Sequence, residues 1–203
     1  MDFTDKYIIA ITGPSGAGKT TLGDLLAKRD GYVIPYHCTT RNKRSDDRDG
    51  FYRYLDHETY AQLLEENKFL ISSGDGPVVK KEYGNFYGVL IQDCIDAWKE
   101  NKTIILFVSY KDLEQLMELK NNGLNINIIS VTFSDIEKGV RRRLENDPAR
   151  NHSIEDINRR VNIAVLDNQM YRKKLEECAK TIVFTDVLNI EETYERVSQE
   201  LKK

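Results

Sequence analysis

Residues 7 to 29 constrain this chain more than any other stretch. Tyr7 to Thr12 is an apolar run of strand length that passes without a linker into Gly13-Pro14-Ser15-Gly16-Ala17-Gly18-Lys19-Thr20, and TLGDLLAKR then follows with helical period. This is the G-x-x-x-x-G-K-[ST] pattern in the strand, loop and helix context that it requires. Glycines allow backbone N–H groups to turn inward around phosphate oxygens, and the helix N-terminus adds partial positive charge. A lysine at position 19 reaches the outer phosphates, and the Thr20 hydroxyl is placed to ligate magnesium. The expected triphosphate-binding residues are Gly13, Pro14, Ser15, Gly16, Ala17, Gly18, Lys19, Thr20 and Thr21, with Thr20 the metal ligand, Lys19 also catalytic, and ATP and Mg2+ the cofactors.

The rest of the chain continues the same logic. Strand-like runs at 103–108, 126–133 and 181–184 alternate with amphipathic stretches at 91–101, 111–121, 135–146, 154–179 and 190–202. Buried parallel strands need crossover helices on both faces, so the expected fold class is α/β, a doubly wound parallel sheet. Residues 37–89 have another texture, dense in Arg, Tyr and Gly, with short strands predicted at 51–55 and 69–73 and a helix at 56–67. They are read as a small α+β insertion between core segments 1–36 and 90–203. A further irregular stretch, 146–153, carries Asn, Asp and Pro between two helices and is read as a short lid.

Charge narrows the function classes. Thirty basic against 33 acidic residues give a formal charge of −3, which supplies no global field for gripping a nucleic-acid backbone, so any anion site is local. The apolar runs fall far short of the roughly 20 residues a membrane span needs. The opening MDFTDK has neither the basic start nor the apolar stretch of a secretory signal, and Cys38, Cys94 and Cys178 lie far apart without metal-ligand spacing. These features lead us to expect a soluble cytoplasmic protein with no membrane or nucleic-acid partner, its oligomeric state open.

A second local anion site stands in the insertion. Thr39-Thr40-Arg41-Asn42-Lys43-Arg44 sets two guanidinium groups three residues apart, and such groups bond phosphate bidentately as lysine does not. Tyrosines 52, 54, 83 and 87 lie nearby in sequence as hydroxyl donors or as faces for a base. A solvated charged loop is the alternative reading of RNKRSDDRD, but transfer between two phosphates needs a second anion clamp beside the first.

Taken in order, GPSGAGKTTL, TTRNKR, DGFYRYL, NKFL, YGNFYG, IILFV and RRRLENDPAR resemble the guanylate kinase family over nearly the whole chain. The resemblance implies a nucleoside monophosphate kinase whose partner is a small-molecule nucleotide acceptor, GMP by default. It implies that Arg41, Arg44, Tyr52 and Tyr87 bind the acceptor's monophosphate. It further implies that Arg143 and Arg150 lie beside the donor phosphates when a lid closes, with Arg160 matching another arginine of that cluster.

The sequence departs from the family where the base is read. Ile71 stands in place of a glutamate, His37 and Val89 in place of serines, and Phe107 and Ser109 in place of two aspartates. His37 is carried as an acceptor-side residue, a hydrogen-bonding or partly buried histidine in preference to a catalytic base. A site that hydrogen-bonds a base edge discriminates by about 10⁴-fold, so Ile71, Val89 and Phe107 are expected to erase a guanine preference and leave another nucleotide or phosphate monoester in play. About seven extra residues precede YGNFYG, in the hairpin 72–82. There Asp75 and Glu82 are candidates to replace the lost carboxylate and Lys80 and Lys81 to meet another charged group, a solvated hairpin tip being the competing reading. The competing function is a non-catalytic module that recognises a protein in the acceptor groove, a reading that gives no reason to keep the phosphate loop or the lid arginines.

Overall fold

The computed structural model describes residues 6–45, 47–73, 84–147 and 152–203. Its centre is the first strand, β1 (Tyr7–Thr12), in which every residue after Tyr7 is buried. Two neighbours flank it, β6 (Ile104–Phe107) and β7 (Asn125–Thr132), and β8 (Thr181–Phe184) pairs with β7. The order is β6-β1-β7-β8, all parallel, and Val33 adds a one-residue parallel bridge to Ile104 beyond β6.

Alternation along these strands divides the core in two. Ile8, Ala10, Ile104, Leu106, Ile126 and Ile128 face one way, against Trp98 of α3 (Ile91–Lys99) and Leu113 and Leu116 of α4 (Leu113–Asn121). Ile9, Ile11, Ile105, Ile129, Val131 and Val183 face the other, against α1 (Lys19–Asp30), α5 (Ile136–Glu145) and α7 (Ile190–Leu201) through Leu22, Leu26, Val140, Leu144 and Val197. The long α6 (Ile154–Cys178) gives Val161 and Ala164 to the second core and Leu175 to the first. This is the expected α/β fold with helices on both faces of a parallel sheet.

The insertion forms its own four-stranded sheet, ordered β3-β2-β5-β4, from β2 (His37–Thr39), β3 (Tyr52–Tyr54), β4 (Phe69–Ser73) and β5 (Tyr87–Leu90), with α2 (His57–Glu65) packed beside it. The sequence pattern predicted β3, β4 and α2; β2 and β5, at three and four residues, are too short to show a period of their own. Leu70, Ile71 and Val89 join the first core, so the two sheets share apolar packing. Residues 74–83, which carry Asp75, Lys80, Lys81 and Glu82, lie outside the described residues, as do 148–151 of the expected lid and with them Arg150.

Local chemistry sets the helix starts. Asp56, Asp135, Ser153 and Asn189 accept from backbone N–H groups at the heads of α2, α5, α6 and α7. Helix α1 differs: its N-cap is Gly18 in the left-handed region, with no side-chain cap and no acidic residue in the first turn. Its N–H groups and dipole are left for something else.

Close approach fixes α5. A Cβ on Gly139 would stand 2.3 Å from Cγ and 2.6 Å from Cβ of buried Phe133, so helix and strand end meet with no room for a methyl group. The same helix brings Arg143 against the phosphate loop, where a Cβ on Gly16 would lie 2.9 Å from Cβ of Arg143. Gly139→Ala gains about 0.5–1 kcal/mol in helix propensity but overpacks a site whose nearest atoms lie close to backbone. The expected net loss in chemical denaturation is about 1–2 kcal/mol, and a neutral or stabilised variant would show that the contact relaxes.

Candidate active site

The loop between β1 and α1 is built around one close contact. Gly13, at φ 146°, lies so near the neighbouring strand that a Cβ there would sit 1.8 Å from the carbonyl oxygen of Val131. Only glycine fits both the backbone angle and the space. Thr185 Oγ1 donates to the Ala17 carbonyl at 3.1 Å and holds the loop from the other side. The Lys19 ammonium lies across the loop, donating to the carbonyls of Gly13 at 2.8 Å and Pro14 at 2.9 Å. Burial lowers its pKa to about 8, so an anion arriving at the loop gains a cation whose charge the fold has left poorly compensated.

The loop opens into a cleft of about 790 Å³. Of the expected donor-side residues, Gly13, Pro14, Ser15, Gly16, Lys19 and Thr20 line it. Ala17 is fully buried beneath the loop, Gly18 is the cap of α1, and Thr21 points outward, so these three do not face the cleft by side chain. All five expected acceptor residues, His37, Arg41, Arg44, Tyr52 and Tyr87, line the same cleft, as do Arg143 and Arg160.

Arg41 and Arg44 are in different states. Arg41 is buried and grips Asp47 bidentately at 2.6 and 2.6 Å, with a further bond from its guanidinium to the Asn42 carbonyl at 3.0 Å. Its guanidinium carbon stacks 4.5 Å from the Tyr52 ring centroid. Three of its five N–H donors are thus engaged by Asp47 and Asn42, and the Tyr52 side chain lies against the same guanidinium. Asp47 also accepts from Tyr54 Oη at 2.6 Å and from the Arg44 backbone at 2.7 Å, and Arg41 above all holds its carboxyl well below the usual carboxylate range. Arg44 is exposed, and its guanidinium has no partner among the described residues. Asp47 therefore aims Arg41 while Arg44 stays available. Sequence reasoning passed over Asp47 because it sits in a charged run of ordinary appearance.

His37 is a junction between the sheets. Its Nδ1 pairs with the Pro35 carbonyl at 3.0 Å, and its Nε2 takes the backbone N–H of Phe107, the last residue of β6, at 3.2 Å. A carbonyl accepts and an amide donates, so the ring is neutral with its proton on Nδ1. The ring stacks on Phe51 at 5.0 Å between centroids, and burial pushes its pKa down to about 4. Both nitrogens are taken, so the hydrogen bond expected from His37 to an acceptor is not on offer; the ring presents an apolar edge.

The altered base-side positions separate in the same way. Phe107 and Ser109 line the cleft, whereas Ile71 and Val89 are 4% and 1% exposed and belong to the core shared with Trp98. The register of β4 against β5 shifts between Phe69 and Ile71, and Ser73 is the β4 residue that lines the cleft. Ile71 and Val89 therefore do not coat the pocket, contrary to the expectation from sequence. Asn85, Asp112 and Asp167 also line the cleft without having been expected. Of these, Asp112 left a trace in sequence, as the last residue of Ser109-Tyr-Lys-Asp112, a capping pattern ahead of an apolar run.

Of the arginines that α5 and α6 bring to the cleft, Arg143 has no partner among the described residues, while Arg160 Nε bonds Asp156 at 2.8 Å. Asp156 also takes His152 Nδ1 at 3.0 Å and Arg159 at 2.7 Å. The described residues hold no group of three or more His, Cys, Asp or Glu side chains able to bind a metal. Thr20 at the head of α1 is the hydroxyl placed beside the loop, which suits a cation that arrives on phosphates and keeps most of its waters. None of the described helices is long and apolar enough to cross a membrane.

A glycine loop pinned at the end of a parallel sheet, an uncapped helix behind it and a lysine laid across it define a P-loop protein. The family model described as guanylate kinase matches residues 5–202. The guanylate kinase of Clostridium perfringens (strain SM101 / Type A) is 31% identical over 143 residues, which are 70% of this chain and 63% of that protein. That of Hydrogenovibrio crunogenus is 29% identical over 135 residues, 66% of this chain and 62% of that one. Less than two thirds of the length of these relatives is therefore spanned. The crystal structure of guanylate kinase from Anaplasma phagocytophilum superposes with a TM-score of 0.68 at 19% identity, covering 98% of this chain and 86% of that one. The chain belongs to the guanylate kinase family.

The geometry around His37 and Asp47 sets an acid response. Folding lowers the His37 pKa, so its contribution to stability is present above about pH 6.5 and is lost as pH falls toward 4. Asp47 is also depressed, and its contribution is lost only below the ordinary carboxylate range. Denaturant titrations should lose about 2–3 kcal/mol between pH 6.5 and 4 from His37, and His37→Gln should flatten that slope whatever its effect on overall stability. An unchanged slope in the variant would assign the acid response elsewhere.

Proposed function

We propose that this chain transfers the γ-phosphoryl group of ATP to a nucleoside monophosphate, with GMP the first acceptor to consider from family membership. The observation that supports the reading is that the P-loop with Lys19 and the insertion's Arg41, Arg44, Tyr52 and Tyr87 line one cleft, so that each set can serve as a phosphate grip. A protein that only bound or hydrolysed a triphosphate has no use for the second grip.

In this reading residues 37–89 are the acceptor-binding unit, the segments 1–36 and 90–203 the donor-binding core, and 146–153 the lid. The loop amides and Lys19 hold the donor phosphates. Arg41, pre-aimed by Asp47, and Arg44 fix the acceptor monophosphate with the hydroxyls of Tyr52 and Tyr87. An acceptor phosphate oxygen attacks the γ-phosphorus, the bond from that phosphorus to the β-bridging oxygen breaks, and ADP and a nucleoside diphosphate result. The acceptor oxygen is already anionic, so no general base is needed, in keeping with a neutral, fully engaged His37. Arg143 and Arg160, joined by Arg150 from the lid, offset charge on the group in flight. Magnesium, held on the protein by Thr20, would supply neutralisation of the β- and γ-oxygens. Positioning and electrostatics do the work, and closure over the cleft keeps water from competing.

The test is ADP release from ATP and magnesium across a panel of nucleoside monophosphates. Lys19→Ala is expected to lower turnover by at least about 100-fold with the fold retained by circular dichroism. Arg44→Lys is expected to raise the acceptor KM about tenfold with the ATP KM unchanged. Wild-type turnover in Lys19→Ala would remove the assignment, and an unchanged acceptor KM in Arg44→Lys would remove the clamp.

A further inference from the structure

Of the cleft carboxylates to which the scheme above gives no task, Asp112, Asp147 and Asp167, only Asp112 has a buried oxygen without a hydrogen-bond partner among the described residues. Asp112 is 4% exposed, lines the cleft, and enters the fold at the 3₁₀ turn Tyr110–Asp112 that precedes α4. Its Oδ2 accepts the Ser109 backbone N–H at 2.7 Å, and the Ser109 hydroxyl in return caps the Asp112 backbone, so the side chain is locked in one rotamer by a reciprocal capping box. Its Oδ1 is buried and makes no hydrogen bond among the described residues. A buried carboxylate oxygen without a donor is costly, and folds retain such groups where a ligand completes them.

Its surroundings say which ligand end that is. Gln115, one turn further along α4, bonds the Ser72 backbone twice, accepting from its N–H at 3.2 Å and donating to its carbonyl at 2.7 Å. This clamps the end of β4 to the start of α4 and sets the Ser73 hydroxyl beside Asp112. Ser73 in turn is the register partner of Tyr87, a member of the acceptor grip. Asp112 therefore lies on the acceptor side of the cleft, apart from the P-loop. Phe107, Val108, Tyr110 and Ser73 line the same cleft, rings and short side chains that offer more contact to a flat heterocycle than to another phosphate. Desolvation by burial raises the Asp112 pKa, and the Ser109 and Ser73 groups pull the other way toward the charged form.

We propose that Asp112 is a specificity-determining residue that reads the acceptor base, its free Oδ1 accepting N–H donors from a base bearing an exocyclic amino group. The inference rests on the nucleotide-acceptor reading of the cleft. It places base recognition on a residue that arrives from the turn before α4, while β4 contributes only the Ser73 hydroxyl. Bases whose facing edge carries a carbonyl oxygen or no donor at all would meet a carboxylate oxygen with nothing to give it, and would be rejected.

Equilibrium binding, measured by calorimetry without ATP, separates this from the catalytic reading. The pairs are GMP against IMP, AMP against IMP, and CMP against UMP, each differing in one amino group or its replacement. The wild-type chain should favour the amino member of its best-bound pair by tenfold or more. Asp112→Asn keeps an oxygen for the Ser109 N–H and the shape of the cap, so its melting temperature should stay near wild type; its amide nitrogen replaces the free oxygen, and the preference should fall below threefold or reverse. Ser73→Ala should weaken the preference without abolishing it. Equal binding of both members by the wild type, or a preference that survives Asp112→Asn, overturns the proposal, and the wild-type measurement decides even if that variant does not fold. If amino bases are preferred but no ADP is released with ATP, the recognition role stands and the catalytic reading fails. If no nucleoside monophosphate binds, both fall together.

Discussion

Everything in this molecule hangs on how closely the loop after β1 can approach β7. Gly13 sits where any side chain would collide with the Val131 carbonyl, and that contact places the loop, the uncapped head of α1 and Lys19 at the carboxyl end of the parallel sheet. The sheet is rigid because both of its faces are buried in separate apolar cores, so the loop inherits a fixed frame. A second close approach, Gly139 on Phe133, seats the helix that carries Arg143 against the same loop. Lys19 and Arg143 are thus delivered by packing, whereas Arg41 and Arg160 are held by ion pairs to Asp47 and Asp156.

The insertion, residues 37–89, is organised by a different principle. Its short strands share only part of the main core, and polar contacts hold it in place: His37 onto the backbone of Phe107, Gln115 onto the backbone of Ser72, and Asp47 onto Arg41. Such contacts are directional, and each of them also positions a group that faces the cleft. The insertion is therefore both attached and aimed by the same bonds. Sharing Leu70, Ile71 and Val89 with the main core explains why two positions that sequence comparison places near a base are apolar here.

Much of the fold was legible because its elements are long or strongly patterned. Strand β1, the glycine loop, and helices α5 to α7 each declare themselves by period, cap or motif, and the P-loop residues follow from spacing alone. Strands β2 and β5 were not visible, since three or four residues carry no periodicity and their pairing is made by tertiary neighbours. The sequence pointed to Arg41, Arg44, Arg143, Arg160, Tyr52 and Tyr87 of the cleft but not to Arg48, Arg159 or Tyr110, and it did not tell their states: nothing in RNKRSDDRD shows that Asp47 engages Arg41 and leaves Arg44 open. His37 was expected to bond a ligand, and three dimensions give both its nitrogens to the backbone. Asp112 was overlooked because a capping residue looks structural until its second oxygen is found buried and unpaired.

The central claim is that donor and acceptor phosphates meet in one cleft. It is tested most directly by the affinity of a dinucleoside pentaphosphate, which carries both nucleosides on one phosphate chain, compared with ATP and with a nucleoside monophosphate alone. Occupation of both grips by a single molecule should tighten binding by about 100-fold or more over ATP, and either Lys19→Ala or Arg44→Lys should remove most of that gain. Binding no tighter than ATP, or a gain untouched by Arg44→Lys, would mean that the two grips do not act on one reaction.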